Sequence, residues 1–404
     1  MKALLLTNEY PPNVYGGAGV HVDYMSRELA KLIEVEVRSF GDQDIRAERL
    51  RVTGFGVDQR SYGAPKPLHS VFGALSRCLA YNSAGVDADV VHCHTWYTHF
   101  GGVLARLSYG IPLVITIHSL EPLRPWKREQ LGRGYDVSSW IEKTALEMAD
   151  AIVAVSTETK ADLLRLFDVD ERRVRVIYNG IDLDEYRPRG STTALERYGV
   201  DPAVPYVLFV GRITRQKGIV HLVRALSYVD RDAQIVLCAG APDTPEIARE
   251  MEEAVAEVQS RRSGILWIQE MVPKDVAIEL YSRAAVFCCP SIYEPFGIIN
   301  LEAMACETAV VASAVGGIPE VVVHGETGLL VPVERQPVSP FEPVDPDRFS
   351  RDLASAINEL LAAPAKRERF GQAGRRRAEA HFSWSTIARQ TVDLYAELLA
   401  RQPT

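Results

Sequence analysis

The chain has 404 residues, more than one hydrophobic core usually serves, so two domains are expected. Hydrophobic residues make up 47% and charged residues 24%, ordinary for a globular protein, and the formal net charge of -8 argues against a general nucleic-acid binder. No apolar stretch approaches bilayer-spanning length, so no membrane anchoring is expected.

The opening, MKALLLTNEYPP, reads as a first buried strand and not as an export signal. Further strands are expected at 35–40 (VEVRSF), 89–94 (DVVHCH), 113–118 (LVITIH), 151–156 (AIVAVS) and 174–179 (VRVIYN). The pattern restarts at 206–211 (YVLFVG), 234–240, 264–270, 286–291, 309–313 and 328–333. Continuous Val/Ile/Leu runs mark strands buried on both faces, hence parallel sheets covered by helices. Amphipathic stretches such as HVDYMSRELAKL and SWIEKTALEMAD fall between them, a βαβ pattern written twice. The segment 179–205, rich in Pro, Gly and charge, reads as a linker with a short helix. The fold class is therefore α/β, two doubly wound Rossmann-like domains facing a cleft, at 1–182 and 183–383. The final helix, 384–402, could pack back on the first domain. The six cysteines are scattered, several in apolar runs, which fits a reduced, cytoplasmic protein.

Ligands of such folds sit at the carboxyl ends of strands, so chemistry is sought there. After the first strand, NEYPPNVYGGAGVHV places Gly16, Gly17 and Gly19 ahead of a helix, whose N-terminus can face an anion. It is a poor dinucleotide fingerprint, with Val22 where a third glycine belongs, and a capped turn is the alternative. After YVLFVG come Arg212 and Lys217, flanked by Gly211 and Gly218; two cations there can clamp a diphosphate, or remain solvated. SIYEPFGIINLEAMA places Glu294 in a strand-end loop and Glu302 just over one turn into the next helix. Glu302 can reach a pair of ribose hydroxyls or pair locally. His118 ends a strand and can face the cleft. HCHTWYTH (92–99) looks metal-like, but His92 and His94 share one strand face and Cys93 the other, so structural or cleft-lining histidines are favoured. D-x-D recurs too often, as at Asp42/Asp44 and Asp182/Asp184, to carry information, and no catalytic metal is expected.

Together these elements resemble the retaining glycosyltransferases of family 4, of the two-domain architecture called GT-B. The resemblance covers nearly the whole chain. It rests on E-x7-E from Glu294 to Glu302, GGAG, GR–x4–KG from Gly211 to Gly218, and VGGIPEVVVHGETGLLV (315–331). The start and HSLEPLRPWKREQLGRGYDVSSW look most similar to the bacterial ADP-glucose-using branch, the glycogen synthase and α-maltose-1-phosphate synthase group. Family 5 glycogen synthases carry a lysine two residues before the glycine pair. Here that position is Val14 or Tyr15, so that lysine's contacts do not transfer.

The resemblance implies that Arg212 and Lys217 hold the donor diphosphate, Glu294 the donor sugar and Glu302 the ribose. It implies further that backbone at Phe296, Gly297 and Ile298 meets sugar and phosphate, that Gly17 approaches the phosphates, that His118 lines the sugar site and that the main chain near Val272 meets the base. The expected partners are a nucleotide sugar, with no cofactor, and a sugar phosphate or α-glucan acceptor. In the basic, aromatic stretch 124–140, Arg124, Lys127, Arg128, Arg133, Tyr135 and Asp136 are candidates for a phosphorylated acceptor, with Trp126, Tyr135 and Trp140 for stacking on sugar; a solvated loop is the alternative. A NAD-dependent oxidoreductase and a non-catalytic carbohydrate binder are the rival classes, and within the enzyme class the alternative is another retaining family 4 transferase using UDP-glucose or a different sugar donor and acceptor.

Overall fold

The computed structural model describes residues 1–14, 16–58, 62–338 and 340–401. The chain divides into two compact units, Met1–Gly180 together with the segment from Trp384, and Ile181–Ser383.

The first unit holds an eight-stranded sheet of β1 (Lys2–Leu6), β2 (Glu34–Phe40), β3 (Asp44–Arg46), β4 (Leu50–Phe55), β5 (Val90–His94), β6 (Leu113–Ile117), β7 (Ala151–Ala154) and β8 (Val174–Val176). The order is β3-β4-β2-β1-β5-β6-β7-β8. Strands β5, β6 and β7 are buried along their whole length, which is why they read as unbroken apolar runs. All six strands expected in this half are present. β3 and β4 are additional, and β3 pairs antiparallel with β4, a departure from an all-parallel sheet. Their sequence, DIRAERLRVTGF, mixes charge into the strands because β3 is exposed throughout at the sheet margin.

The final helix, Trp384–Ala400, belongs to this first unit and packs on the helix Gly17–Ala30. Trp384 is buried and stacks on Tyr24 with ring centroids 5.8 Å apart. Gly180 closes the main run of the unit under that indole, where a Cβ would lie 2.5 Å from a ring carbon. Tyr395 of the same helix donates or accepts a 2.6 Å hydrogen bond with His92 Nδ1 on β5.

The second unit holds six parallel strands, β9 (Tyr206–Arg212), β10 (Gln234–Gly240), β11 (Ile265–Ile268), β12 (Val286–Cys289), β13 (Val310–Ser313) and β14 (Gly328–Val331). The order is β11-β10-β9-β12-β13-β14. The chain moves outward from β9 in one direction and returns beside it to build the other, so β9 and β12 flank the switch point where such sheets bind ligands. In the first unit β1 and β5 flank the corresponding point. The short helix expected in the linker is Thr193–Arg197. All six cysteines are buried and unbridged. Among the described residues no helix is long and apolar enough to cross a membrane.

Candidate active site

In the second unit the loops after β9 and β12 are knitted together at the switch point. The amides of Ile292 and Tyr293 both donate to Gln216 O, at 2.9 and 3.3 Å. Gly218 adopts φ +60, and a Cβ there would overlap the Pro290 carbonyl, so only glycine lets the two loops approach. Lys217 is thereby brought beside Glu294, with Nζ donating to Oε2 at 2.6 Å, and Ser291 Oγ donates to the same oxygen at 3.2 Å. Burial alone would favour the neutral amine, but the Glu294 carboxylate outweighs it and raises the Lys217 pKa. A charged pair is thus held in a largely buried position. The glycine pair of VGGIPEV serves the same loop: Gly317 N donates to Glu294 O at 3.0 Å, and a Cβ on Gly316, at φ +55, would overlap that carbonyl.

Arg212 ends β9 and its guanidinium is paired with Asp243, in the loop after β10. The helix Ile298–Ala305 starts at Gly297, which adopts φ +99, and no side chain caps it. Asn300 N of its first turn donates to Gly297 O at 2.9 Å, and helix starts of this kind present their earliest N–H groups to anions. Glu302 lies at the fifth position of this helix. Its Oε1 accepts from the Tyr186 hydroxyl at 3.1 Å and its Oε2 from the Tyr281 hydroxyl at 2.9 Å. Burial pushes its carboxyl pKa up against these hydrogen bonds. Local pairing, the alternative left open by the sequence, is therefore present, while each carboxylate oxygen has a second lone pair. Phe296 is buried, with its ring 5.9 Å from that of Phe382. Val272 follows β11, half-buried, just before the helix Lys274–Arg283.

The first unit brings a second set together. The helix expected after the glycines starts earlier than read, at Gly17, so Gly17 and Gly19 lie in its first turn. Tyr15 lies outside the described residues. Glu9 Oε2 accepts from Gly16 N at 2.8 Å, so a carboxylate already faces this helix start. His118 follows β6, half-buried, and its Nε2 lies 3.1 Å from His94 Nδ1. His21, from the helix after β1, places its ring 4.8 Å from His118 and 5.3 Å from His94. The HCHTWYTH run thus does not act as a unit. His92 bonds to Tyr395 and to Thr116 Oγ1 at 2.7 Å, and His99 packs in the core, while His94 joins histidines from elsewhere.

Several acceptor candidates are held by one another or by neighbouring side chains. Arg128 pairs with Asp136 at 2.6 Å and lies over the Tyr135 ring, while Arg124 donates to Ser119 Oγ at 2.9 Å and Lys127 to Gln130 Oε1 at 3.0 Å. Tyr135 is buried in the small core with Val71, Trp96 and Ile141, and its hydroxyl donates to Glu121 O at 2.5 Å. That face is core packing, not an open stacking platform. Trp140, a candidate for stacking on sugar, is 58% exposed.

Sequence reasoning missed Asp243, Ser291, Tyr186, Tyr281 and His21. Asp243 had a signal, an acid at a strand end; the two tyrosines had none, since one is in the linker and the other in an ordinary amphipathic helix.

A model described as Glycosyltransferase Family 4 matches residues 15–185, and one described as Glycosyl transferases group 1 matches 192–339. The chain is 48% identical over 404 residues to the alpha-maltose-1-phosphate synthase of Mycobacterium tuberculosis, covering 99% of this chain and 100% of that one. The chain belongs to glycosyltransferase family 4. It is also 32% identical to a D-inositol 3-phosphate glycosyltransferase of Xylanimonas cellulosilytica, covering 96% of this chain and 93% of that one. Among solved structures, the sucrose-phosphate synthase of Thermosynechococcus elongatus superimposes over 100% of both chains with a TM-score of 0.80 and 26% identity. The two α/β units are those of a GT-B glycosyltransferase, and the chain is a glycosyltransferase.

Proposed function

We propose that this transferase moves glucose from ADP-glucose to glucose 1-phosphate, with retention of the α configuration, forming an α-1,4 linkage in maltose 1-phosphate and feeding glycogen synthesis. The observation that carries the reading is the group Arg212, Lys217, Glu294 and Glu302 around one end of the second sheet, in a chain nearly half identical to an enzyme named for that product. The names of all three relatives above contain a phosphorylated sugar or polyol, which supports a phosphorylated acceptor over a neutral glucan.

In this reading Arg212 and Lys217 meet the donor diphosphate together with the amides at Gly297 and Ile298. Negative charge grows as the nucleoside diphosphate departs, and these donors stabilise it. Glu294 accepts from sugar hydroxyls while its partner Lys217 turns to the phosphate. Glu302 takes the ribose, Val272 main chain the base, and Gly17 and His118 the phosphate and sugar. The acceptor hydroxyl attacks the anomeric carbon on the face the diphosphate leaves. The C–O bond to phosphate breaks, the new glycosidic bond forms, and the departing phosphate oxygen takes the acceptor proton. No separate general base is then required. We assign the enzyme to the cytoplasm, where buried, unbridged cysteines stay reduced.

Incubation with ADP-glucose and either glucose 1-phosphate or glycogen tests the acceptor. Maltose 1-phosphate should form, with both linkages α by NMR; transfer to glycogen alone overturns the sugar-phosphate assignment. Binding titrations with ADP-glucose, UDP-glucose and GDP-mannose test the donor, and a preference for UDP-glucose overturns ADP-glucose. Activity should survive EDTA, and a loss restored by a divalent cation would sink the metal-independent step.

A further inference from the structure

We propose that His21, His94 and His118 of the first unit form a binding site for a borderline transition-metal ion such as Zn²⁺, separate from any catalytic requirement. One nitrogen from each residue lies within 4.8 Å of the other two. Tetrahedral zinc, with Zn–N of about 2.0–2.1 Å, sets its ligand nitrogens about 3.3 Å apart. The His94 Nδ1–His118 Nε2 separation of 3.1 Å already matches that spacing, and His21 must approach further. The three side chains come from three elements, the helix Gly17–Ala30 and the ends of β5 and β6.

Two observations point to a ligand. His21 Nε2 is buried with no hydrogen-bond partner among the described residues. Leaving such an atom unsatisfied is costly, so a buried lone pair signals an absent partner. His21 is also oriented as ligating histidines are. Its Nδ1 lies 2.6 Å from Asn179 Oδ1, which can only accept, so the proton is on Nδ1 and the lone pair on Nε2. For both facing atoms to bind a metal, His94 and His118 must give up the hydrogen bond between them and carry their protons on the far nitrogens. Imidazole nitrogens suit Zn²⁺, Ni²⁺ or Cu²⁺ better than Mg²⁺ or Ca²⁺. His118 is half-buried, which leaves the site open to solvent on one side.

The test uses the full chain and Co²⁺ as a visible probe, followed by displacement with Zn²⁺. Wild type should take up one equivalent with an intense tetrahedral-type spectrum, and Zn²⁺ should raise its Tm. His21→Gln and His118→Gln should abolish both responses, and Asn179→Ala should weaken affinity by about 10–100-fold. Circular dichroism and the metal-free Tm establish that each variant folds. Failure of wild type to retain Co²⁺, a weak octahedral spectrum, or equal uptake by the variants each overturns the site. Where His118 also serves the donor sugar, which rests on the function proposed above, Zn²⁺ should inhibit transfer. Binding without inhibition counts against that role for His118 and leaves the metal site standing.

Discussion

At the scale of single residues, the second unit places opposite charges in contact where the sequence showed only isolated ones. Lys217 at 2.6 Å from Glu294 is the clearest case. The proposed step asks Lys217 to meet charge that grows as the diphosphate leaves, so Lys217→Ala should lower kcat about 100-fold or more while changing donor affinity little. Steady-state kinetics with a separate donor titration decide it, and a change confined to KM counts against the role. Gly316 makes a second case. Its φ of +55 and its overlap with the Glu294 carbonyl leave no room for a Cβ. Gly316→Ala should cost about 2–4 kcal/mol in denaturant unfolding and lower kcat by shifting Glu294. A cost within about 0.5 kcal/mol would show that the approach is looser than the geometry requires. E-x7-E and the glycine pair were legible as motifs. Their mutual contact was not, because about twenty residues separate them and spacing carries no record of which loops touch.

At the scale of elements, apolar continuity made the buried strands readable. Twelve of them were expected, and those twelve are present. The pair β3–β4 escaped because exposed, margin strands carry charge where a buried strand carries Val or Ile. The C-terminal helix shows a different limit. Its amphipathic pattern announced a helix with one buried face, but periodicity does not name the surface that buries it. Trp384 against Tyr24, His21 and Gly180 provides that surface in the first unit. Trp384→Ala should therefore destabilise the first unit by about 3–5 kcal/mol, the usual cost of deleting a buried large aromatic side chain. Urea unfolding followed by hydrogen exchange should locate the loss in Met1–Gly180 and the final helix; a loss confined to Ile181–Ser383 would contradict the packing.

At the scale of the whole molecule, the first unit buries histidines that the unfolded chain would protonate. His99 is the simplest, since burial is the sole cause that lowers its pKa, to about 3. Its folded pKa lies below the ordinary 6.5, so between those values the unfolded chain binds the extra proton. Stability is then fully present above pH 6.5 and is lost as pH falls toward 3, at up to ~1.4 kcal/mol per pH unit for this one group. His99→Leu should remove that part of the slope, so its stability relative to wild type should improve on going from pH 7 to pH 5. Parallel urea titrations at the two pH values check it, and an unchanged difference means His99 is not held neutral.

By itself the sequence determined the two α/β units, their buried strands, the family and the residue types around the candidate site. Those follow from local information: apolar runs, glycine positions and cations or acids placed just after strands. Tertiary structure decided the partners. It put Asp243 on Arg212, Lys217 on Glu294, two tyrosines on Glu302, Tyr135 into a core and His94 beside His21 and His118. Each pairing joins segments distant along the chain, and their approach is set by how helices pack on a sheet and how glycine-bearing loops cross, which no single stretch encodes.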